Sequence, residues 1–180
     1  MRKVTAHLFS SLDGIVSAPH LFQFDAFGEE EGAAMGKALA PIDEAVMGRI
    51  AYQEWADYWP SATDGGFEEF INPLRKHVAT TTLSDPLTWE NSSVIDGDLV
   101  DFVRTLKEGE GGEIMLVGIS VIRQLFLAGL VDALSLTIHP VVAGTGTRLF
   151  PEGSDVTRLE LIDSQITSLG NAMLTYRLKG

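Results

Sequence analysis

The sequence predicts an α/β fold in which a mainly parallel sheet is covered by helices and finished by an antiparallel C-terminal edge. Three observations carry this. As far as Leu130, short apolar or β-branched segments alternate with segments of helical period, the pattern of strand–helix–strand units. Two of the strand-to-helix passages turn on a glycine, at Met47-Gly48-Arg49 and at Val117-Gly118-Ile119-Ser120. Beyond them, three strand-like segments follow one another with no helix between them, the last two joined by a short turn.

Taken in order, Val4 to Ser10 is apolar and β-branched and runs into the turn pair Asp13-Gly14, which suits a first strand entering a loop. The loop from Ser17 to Phe27 carries Pro19, Gln23 and three phenylalanines. Glu29 to Ala40 reads as a helix, with carboxylates in its first turn and Pro41 closing it. Ala45 to Met47 forms a compact strand ending at Gly48-Arg49, and Ile50 to Tyr58 continues as a helix. Trp59-Pro60 and Asp64-Gly65-Gly66 then break the chain, and Phe67 to Ile71 suits a short helix. Strand character resumes from His77 to Thr82 and again at Val94 and Ile95. Asp98 caps a helix whose apolar positions Leu99, Phe102, Val103 and Leu106 keep the helical period, with Gly109 just past its end. Ile114 to Val117 is a strand, followed directly after Gly118 by the helical stripe Val121, Ile122, Leu125 and Phe126, which Gly129 ends. Leu134 to Ile138, Leu159 to Ile166 and Met173 to Leu178 complete the strands, the last two separated by Leu169-Gly170-Asn171. No repeat, low-complexity tract or linker interrupts residues 1–180, which read as one domain.

Twenty-five acidic residues against 13 basic ones give a formal net charge of −12, a field that disfavours phosphate-backbone contacts and makes nucleic acid an unexpected partner. The chain has no cysteine, which excludes disulfides, thiolate nucleophiles and cysteine-ligated metal. MRKVTAHLFSSLDG has no long apolar core and does not read as a signal peptide, and no apolar run approaches the roughly 20 residues of a membrane helix. A cytoplasmic protein with no membrane partner is the expectation.

In open parallel sheets, ligands bind beyond the carboxyl ends of the strands, where loops lead into helix N-termini. At both glycine turns the backbone can be approached closely and the following helix offers free N–H groups with partial positive charge, a fitting seat for pyrophosphate. Arg49 adds a cation there and Ser120 a hydroxyl. The plainer reading is that each glycine serves a tight turn or packing alone, since neither GxGxxG nor a P-loop is present. Gly144-Thr145-Gly146, with no helix after it, reads as a turn.

Five stretches, in order along nearly the whole chain, resemble the dihydrofolate reductase-like superfamily, in particular its riboflavin-biosynthesis reductase branch, the RibD C-terminal domain. They are HLFSSLDGIVS, VMGRIAYQEWADYWP, HVATTTLSDPLTW, EIMLVGISVIRQLFLAGLVDALSL and HPVVAGTGTRLFP. The resemblance implies a three-layer α/β/α domain that binds NADPH, with NADH as the alternative, and passes its hydride to a pteridine-, flavin- or pyrimidine-like small molecule. It implies a homodimer as well. Gly118, Ile119 and Ser120 would then meet the cofactor's pyrophosphate, Gly48 and Arg49 the phosphate side near the 2′-phosphate, Thr80, Thr81 and Leu83 the adenosine, and Gly144, Thr145 and Gly146 the nicotinamide end.

Some positions depart from the family pattern. Relatives often have a second small residue where Ile119 stands, an arginine at Thr81 and a threonine at Ala51, so this chain offers phosphate fewer partners. Ile15 replaces the lysine usual in riboflavin reductases, which counts against a phosphorylated ribose substrate, and no cysteine is available for the zinc deaminase domain often fused to that enzyme. The chain reads as a relative of the pathway enzyme. Those losses also motivate an alternative, a non-catalytic module that binds a nucleotide or planar ligand on the same fold.

Asp13 is the best placed carboxylate to orient or protonate substrate, for which a raised pKa is expected; the plainer reading is an Asp-Gly turn pair bonding its own backbone. Asp25, Glu29 and Glu30 begin the helix that lines the cleft in this family, and Phe22, Phe24 and Phe27 are candidates for stacking on a planar ring, Phe24 and Asp25 being assigned to substrate. Acidic first turns and aromatic clusters serve helix dipoles and packing too, and Trp55, Tyr58 and Trp59 read as core or rim. His7, His20, His77 and His139 have no ligand spacing, so no metal is expected, and no GxSxG elbow supports a hydrolase.

Overall fold

In the computed structural model, residues 1–23, 25–63 and 65–179 are described; Phe24, Asp64 and Gly180 lie outside them. The chain runs β1 (Val4–Ser11), α1 (Glu29–Leu39), β2 (Ile42–Gly48), α2 (Arg49–Tyr58), α3 (Phe67–Ile71), β3 (Arg75–Ala79), β4 (Ser92–Val94), α4 (Leu99–Glu108), β5 (Glu113–Val117), α5 (Ile119–Leu127), β6 (Ala133–His139), β7 (Leu159–Ile166) and β8 (Ala172–Leu178). Two compact units divide these elements, one of Met1–Val4 and Ile42–Leu130, the other of Thr5–Pro41 and Val131–Gly180.

The first unit orders its strands β4-β3-β2-β5, all pairs parallel, with Val46 opposite His77 on one side and Leu116 on the other. Its interior is the apolar set that periodicity selects: Val46, Met47, Val78, Val103, Ile114, Leu116, Ile122, Leu125 and Phe126 are all buried. Asp98 caps α4 as expected, accepting from the N–H groups of Val100 at 2.8 Å and Asp101 at 3.1 Å. At the amino ends of the strands, buried Arg2 pairs with Asp43 and Glu44, and Glu44 lies 2.6 Å from His77 Nε2. Burial of Glu44 works to raise its pKa, but the hydrogen bonds from His77 and Arg2 prevail and hold it below the ordinary carboxylate value. Lys76 is buried on β3 and donates to the carbonyls of Ile71, Asn72 and Leu74 at 2.7–3.1 Å, its ammonium 4.4 Å from the Trp89 ring. Burial pushes it down to about 8 despite the opposing charge of Glu90.

The second unit orders its strands β1-β6-β8-β7, parallel between β1 and β6 and antiparallel thereafter. The expected C-terminal hairpin is present, with Leu161 opposite Tyr176 and a register shift between Leu161 and Asp163. One strand ends earlier than expected. β3 stops at Ala79 because Thr80 Oγ1 accepts from the N–H groups of Thr82 and Leu83, both at 3.1 Å, a local turn that competes with the ladder. No described helix is long and apolar enough to cross a membrane.

Candidate functional site

In the first unit, Met47 pairs with Val117, so the two glycine turns stand side by side at the carboxyl ends of β2 and β5, and α2 and α5 start from them. Gly118 has φ +105°, and a Cβ there would sit 3.3 Å from Gly48 N and 3.4 Å from Ala51 Cβ. The glycine therefore first admits the neighbouring turn. A Cβ on Gly48 would in turn lie 3.3 Å from Val121 Cγ2. Neither α2 nor α5 has a side-chain cap, which leaves adjacent sets of first-turn N–H donors without the side-chain acceptor that usually satisfies one of them. Ser120 and Arg49 are exposed beside these donors, and Arg49 Nη1 donates to Gln53 Oε1 at 2.8 Å. Ile119 is partly exposed at the start of α5.

Thr81 is exposed, while Thr80 uses its hydroxyl within its own turn. Leu83 shares a cavity of about 300 Å³ with Tyr52, Gln53, Asp57, Pro86 and Leu87. Gln53 and Tyr52, which lie in the VMGRIAYQEWADYWP stretch but were given no role from it, thus join this end of the unit. A larger cavity of about 670 Å³ lies at the opposite, amino end of the strands, lined by Asp43, Glu44, Arg75 and Glu110 among others.

In the second unit, Asp13 is a clamp. Its carboxylate accepts from Ser11 Oγ at 2.6 Å and from the N–H groups of Ala143 and Gly144, both at 2.9 Å, tying the segment after β6 to the end of β1. The Ser11 hydroxyl and the two backbone donors hold its pKa down at about 2. The raised pKa expected of a proton donor is reversed here, because three donors stabilise the anion of this half-buried carboxylate and outweigh its desolvation. The glycines of this segment differ. Gly144 has φ +77° and open space around it, whereas a Cβ on Gly146, at φ +136°, would overlap Ile15 Cγ2 and lie 2.9 Å from Ser17 Oγ. Thr145 is exposed between them. Ile15 is buried, so its side chain packs and does not face solvent.

Asp25 and Glu29 are exposed, and Glu30 Oε2 accepts from the N–H and the hydroxyl of Ser168, both at 2.6 Å. Phe24 lies outside the described residues. Phe22 is buried and Phe27 packs edge-on against Phe9 with ring centroids 5.9 Å apart. The acid that sequence reasoning passed over is Glu31, buried, with Oε2 2.9 Å from Gly28 N and Oε1 2.6 Å from Asn171 Nδ2. Burial pushes its pKa up, but the hydrogen bonds from Thr167, Asn171 and the Gly28 backbone outweigh this and bring it to about 2. Glu31 forms one half of a capping box, accepting from the Gly28 N–H, but with glycine at the N-cap the sequence lacks the S/T-x-x-E signature that would have marked it.

Over residues 2–175 the sequence matches the model of the RibD C-terminal domain. The chain belongs to that family. Among its relatives is the uncharacterized protein YyaP of Bacillus subtilis, 26% identical over 185 residues that cover 99% of this chain and 96% of that one. A pyrimidine reductase-like protein from Corynebacterium diphtheriae is similar in fold, with TM-score 0.70, 18% identity and coverage of 99% of this chain and 92% of that one. Dihydrofolate reductase from Enterococcus faecalis, solved with NADP(H), has TM-score 0.62 and 14% identity over 99% of this chain and 97% of its own. The fold is therefore dihydrofolate reductase-like, α/β with an antiparallel C-terminal end.

Proposed function

We propose that this RibD C-terminal domain protein is an NAD(P)H-dependent reductase that transfers hydride to a pteridine-, flavin- or pyrimidine-like small molecule. The observation that supports this most is the pair of uncapped helix N-termini at Gly48 and Gly118, a double set of backbone donors with Arg49 and Ser120 at its margin in a chain otherwise strongly negative. Such a cradle fits a dinucleotide pyrophosphate. Gly48, Arg49, Gly118, Ile119 and Ser120 would hold it, with Thr80, Thr81 and Leu83 beside the adenosine. When bound, the dihydronicotinamide supplies the hydride.

Asp13 enters as a positioning anion that fixes Ala143 and Gly144, and thereby the Gly144-Thr145-Gly146 segment assigned to the nicotinamide end. The substrate's proton comes from another group or from water, since a carboxyl held at about 2 is ionised at neutral pH. Asp25 remains a substrate contact in this reading. The reading includes a homodimer: β7 is the edge strand of its unit and exposed along all eight residues, Leu161 and Ile166 among them, a surface that a second copy would cover. A monomer mass by solution scattering removes that part.

The test is thermal stability with saturating NADPH and, separately, NADH, followed by loss of NADPH absorbance with a panel of pterins, flavins and pyrimidines. A ligand that binds only the native state at a hundredfold excess over its Kd stabilises by about 2.7 kcal/mol. A shift with saturable turnover supports the reductase. Nucleotide binding without turnover on any acceptor favours the binding-module alternative, and no shift with either nucleotide defeats the cofactor assignment.

A further inference from the structure

His139 ends β6 opposite Ser11 of β1 and is fully buried. Its Nδ1 lies 2.8 Å from Asn171 Oδ1. Asn171 has no freedom in this, because its Nδ2 already donates to Ala26 O at 2.7 Å and to Glu31 Oε1 at 2.6 Å. The amide oxygen is therefore the atom presented to the imidazole, and an oxygen only accepts, so Nδ1 carries the hydrogen. In the neutral ring, Nε2 is left with its lone pair. It is buried and has no hydrogen-bond partner.

An orphaned buried acceptor is costly, and one whose tautomer is fixed by two further residues, at the carboxyl end of a strand, calls for a partner. Two rings pack on the imidazole: Phe9, tilted at 5.7 Å between centroids, and Phe22, edge-on at 6.0 Å. Phe22 belongs to the segment from Ser17 to Gly28, and among its described residues Phe22 is the buried one. Its neighbours are not anchored in the core. The 3-10 turn Pro19–Leu21 has no buried residue, Leu21 is 66% exposed, and Ala18 sits in the left-handed region at φ 46°. The ends of the segment are tied down by Thr147 N–H to Ser17 Oγ and by Asn171 Nδ2 to Ala26 O, and between them Phe22 is the described side chain that packs on the imidazole.

We propose that Phe22 is a displaceable plug and that His139 Nε2, once uncovered, accepts a hydrogen bond from the ring N–H of a planar heterocycle seated where the Phe22 ring lies. The inference rests on the reductase reading for the class of molecule and sharpens it. An acceptor held in one tautomer selects rings that present N–H, such as lactam or imide rings, and rejects the N-methylated ring both by the lost bond and by bulk. Asn171 and Glu31 are positioning residues that keep the amide oxygen toward Nδ1 and the lone pair toward the ring.

The experiment uses the full chain labelled with ¹⁵N-histidine, with and without NADPH, and two probes: lumazine, a pteridine with two ring N–H groups, and 1,3-dimethyllumazine, which has none. Free protein should show an unprotonated His139 Nε2 resonance that moves upfield by several ppm with lumazine and stays put with the dimethyl compound. Lumazine should bind about tenfold or more tightly than its methylated analogue. That ratio should collapse toward one in His139→Phe, while Phe22→Ala should bind lumazine more tightly than the wild type. Lumazine binding with the Nε2 resonance unmoved overturns the inference, as does a protonated Nε2 in the free protein, or absence of lumazine binding in both wild type and Phe22→Ala. NADPH oxidation by lumazine with a silent Nε2 sinks this inference and spares the reductase. A responsive Nε2 with no NADPH-induced stabilisation does the reverse.

Discussion

The first unit gathers donors and the second gathers acceptors. At Gly48 and Gly118 the backbone offers N–H groups from two helices whose glycine N-caps have no side chain to cap them. At Asp13, Glu30 and Glu31 the carboxylates are all engaged by donors of their own unit, and the Nε2 of His139 is among the buried polar atoms left without a partner there, with His7 Nε2 and Thr5 Oγ1. Unused donors suit an anion, and unused lone pairs suit a ring N–H. The difference teaches that motif resemblance alone does not separate residues that bind from residues that build: Asp13 carries the family motif, yet its hydrogen bonds make it a clamp.

The largest expected effects break this comparison at its glycines. Gly146→Ala combines an overlap with Ile15 and a disfavoured φ, and Gly118→Ala combines a disfavoured φ with crowding of Gly48. Each should cost about 3 kcal/mol in urea unfolding, whereas Gly144→Ala, with open space, should cost about 1 kcal/mol from backbone strain alone. Equal losses at Gly144 and Gly146 would show that neighbours do not decide the glycine. Next in size, Asp13→Asn should lower turnover about tenfold to a hundredfold through misplacement of the 143–146 segment and leave the NADPH-induced thermal shift in place. Unchanged turnover would remove Asp13 from the site.

The titrations separate the two units. Glu31 and Asp13 both have folded pKa values of about 2, below their ordinary values of 4.5 and 3.8, so the stability they contribute is complete above those values and is lost as pH falls toward 2. Urea midpoints should fall across that window, with a shallower fall in Glu31→Gln. Lys76 of the first unit runs at the alkaline end. Its folded value of about 8 lies below 10.5, so its charge opposes folding, and stability should rise as pH climbs from 8 to 10.5. Lys76→Met should flatten that rise. The smallest effect is at exposed Arg49, where alanine should weaken NADPH about tenfold, leave NADH nearly unchanged and move stability by less than about 0.5 kcal/mol.

Much of this was legible in the chain. Periodicity located the helices, and the Asp98 cap, the glycine-terminated strands and the C-terminal hairpin followed from local chemistry. The early end of β3 was missed because Thr80 through Thr82 are good strand formers, and only the turn closed by the Thr80 hydroxyl overrides that preference. Glu31 was passed over for Asp25, Glu29 and Glu30 because four acidic residues near one helix start are indistinguishable until one of them is buried.

The sequence by itself determined the element order, the parallel character, the family and the two glycine turns, because each rests on spacing within a few residues or on motifs met in order. Tertiary structure alone decided that Asp13 is an anion shared with residues 130 positions away, that Gly118 accommodates Gly48, and that His139, Asn171 and Glu31 form one hydrogen-bonded line. The physical reason is that a pKa and a tautomer depend on which donors and acceptors arrive at a few ångströms, and those partners lie up to 140 residues apart in the chain, beyond the reach of any local pattern.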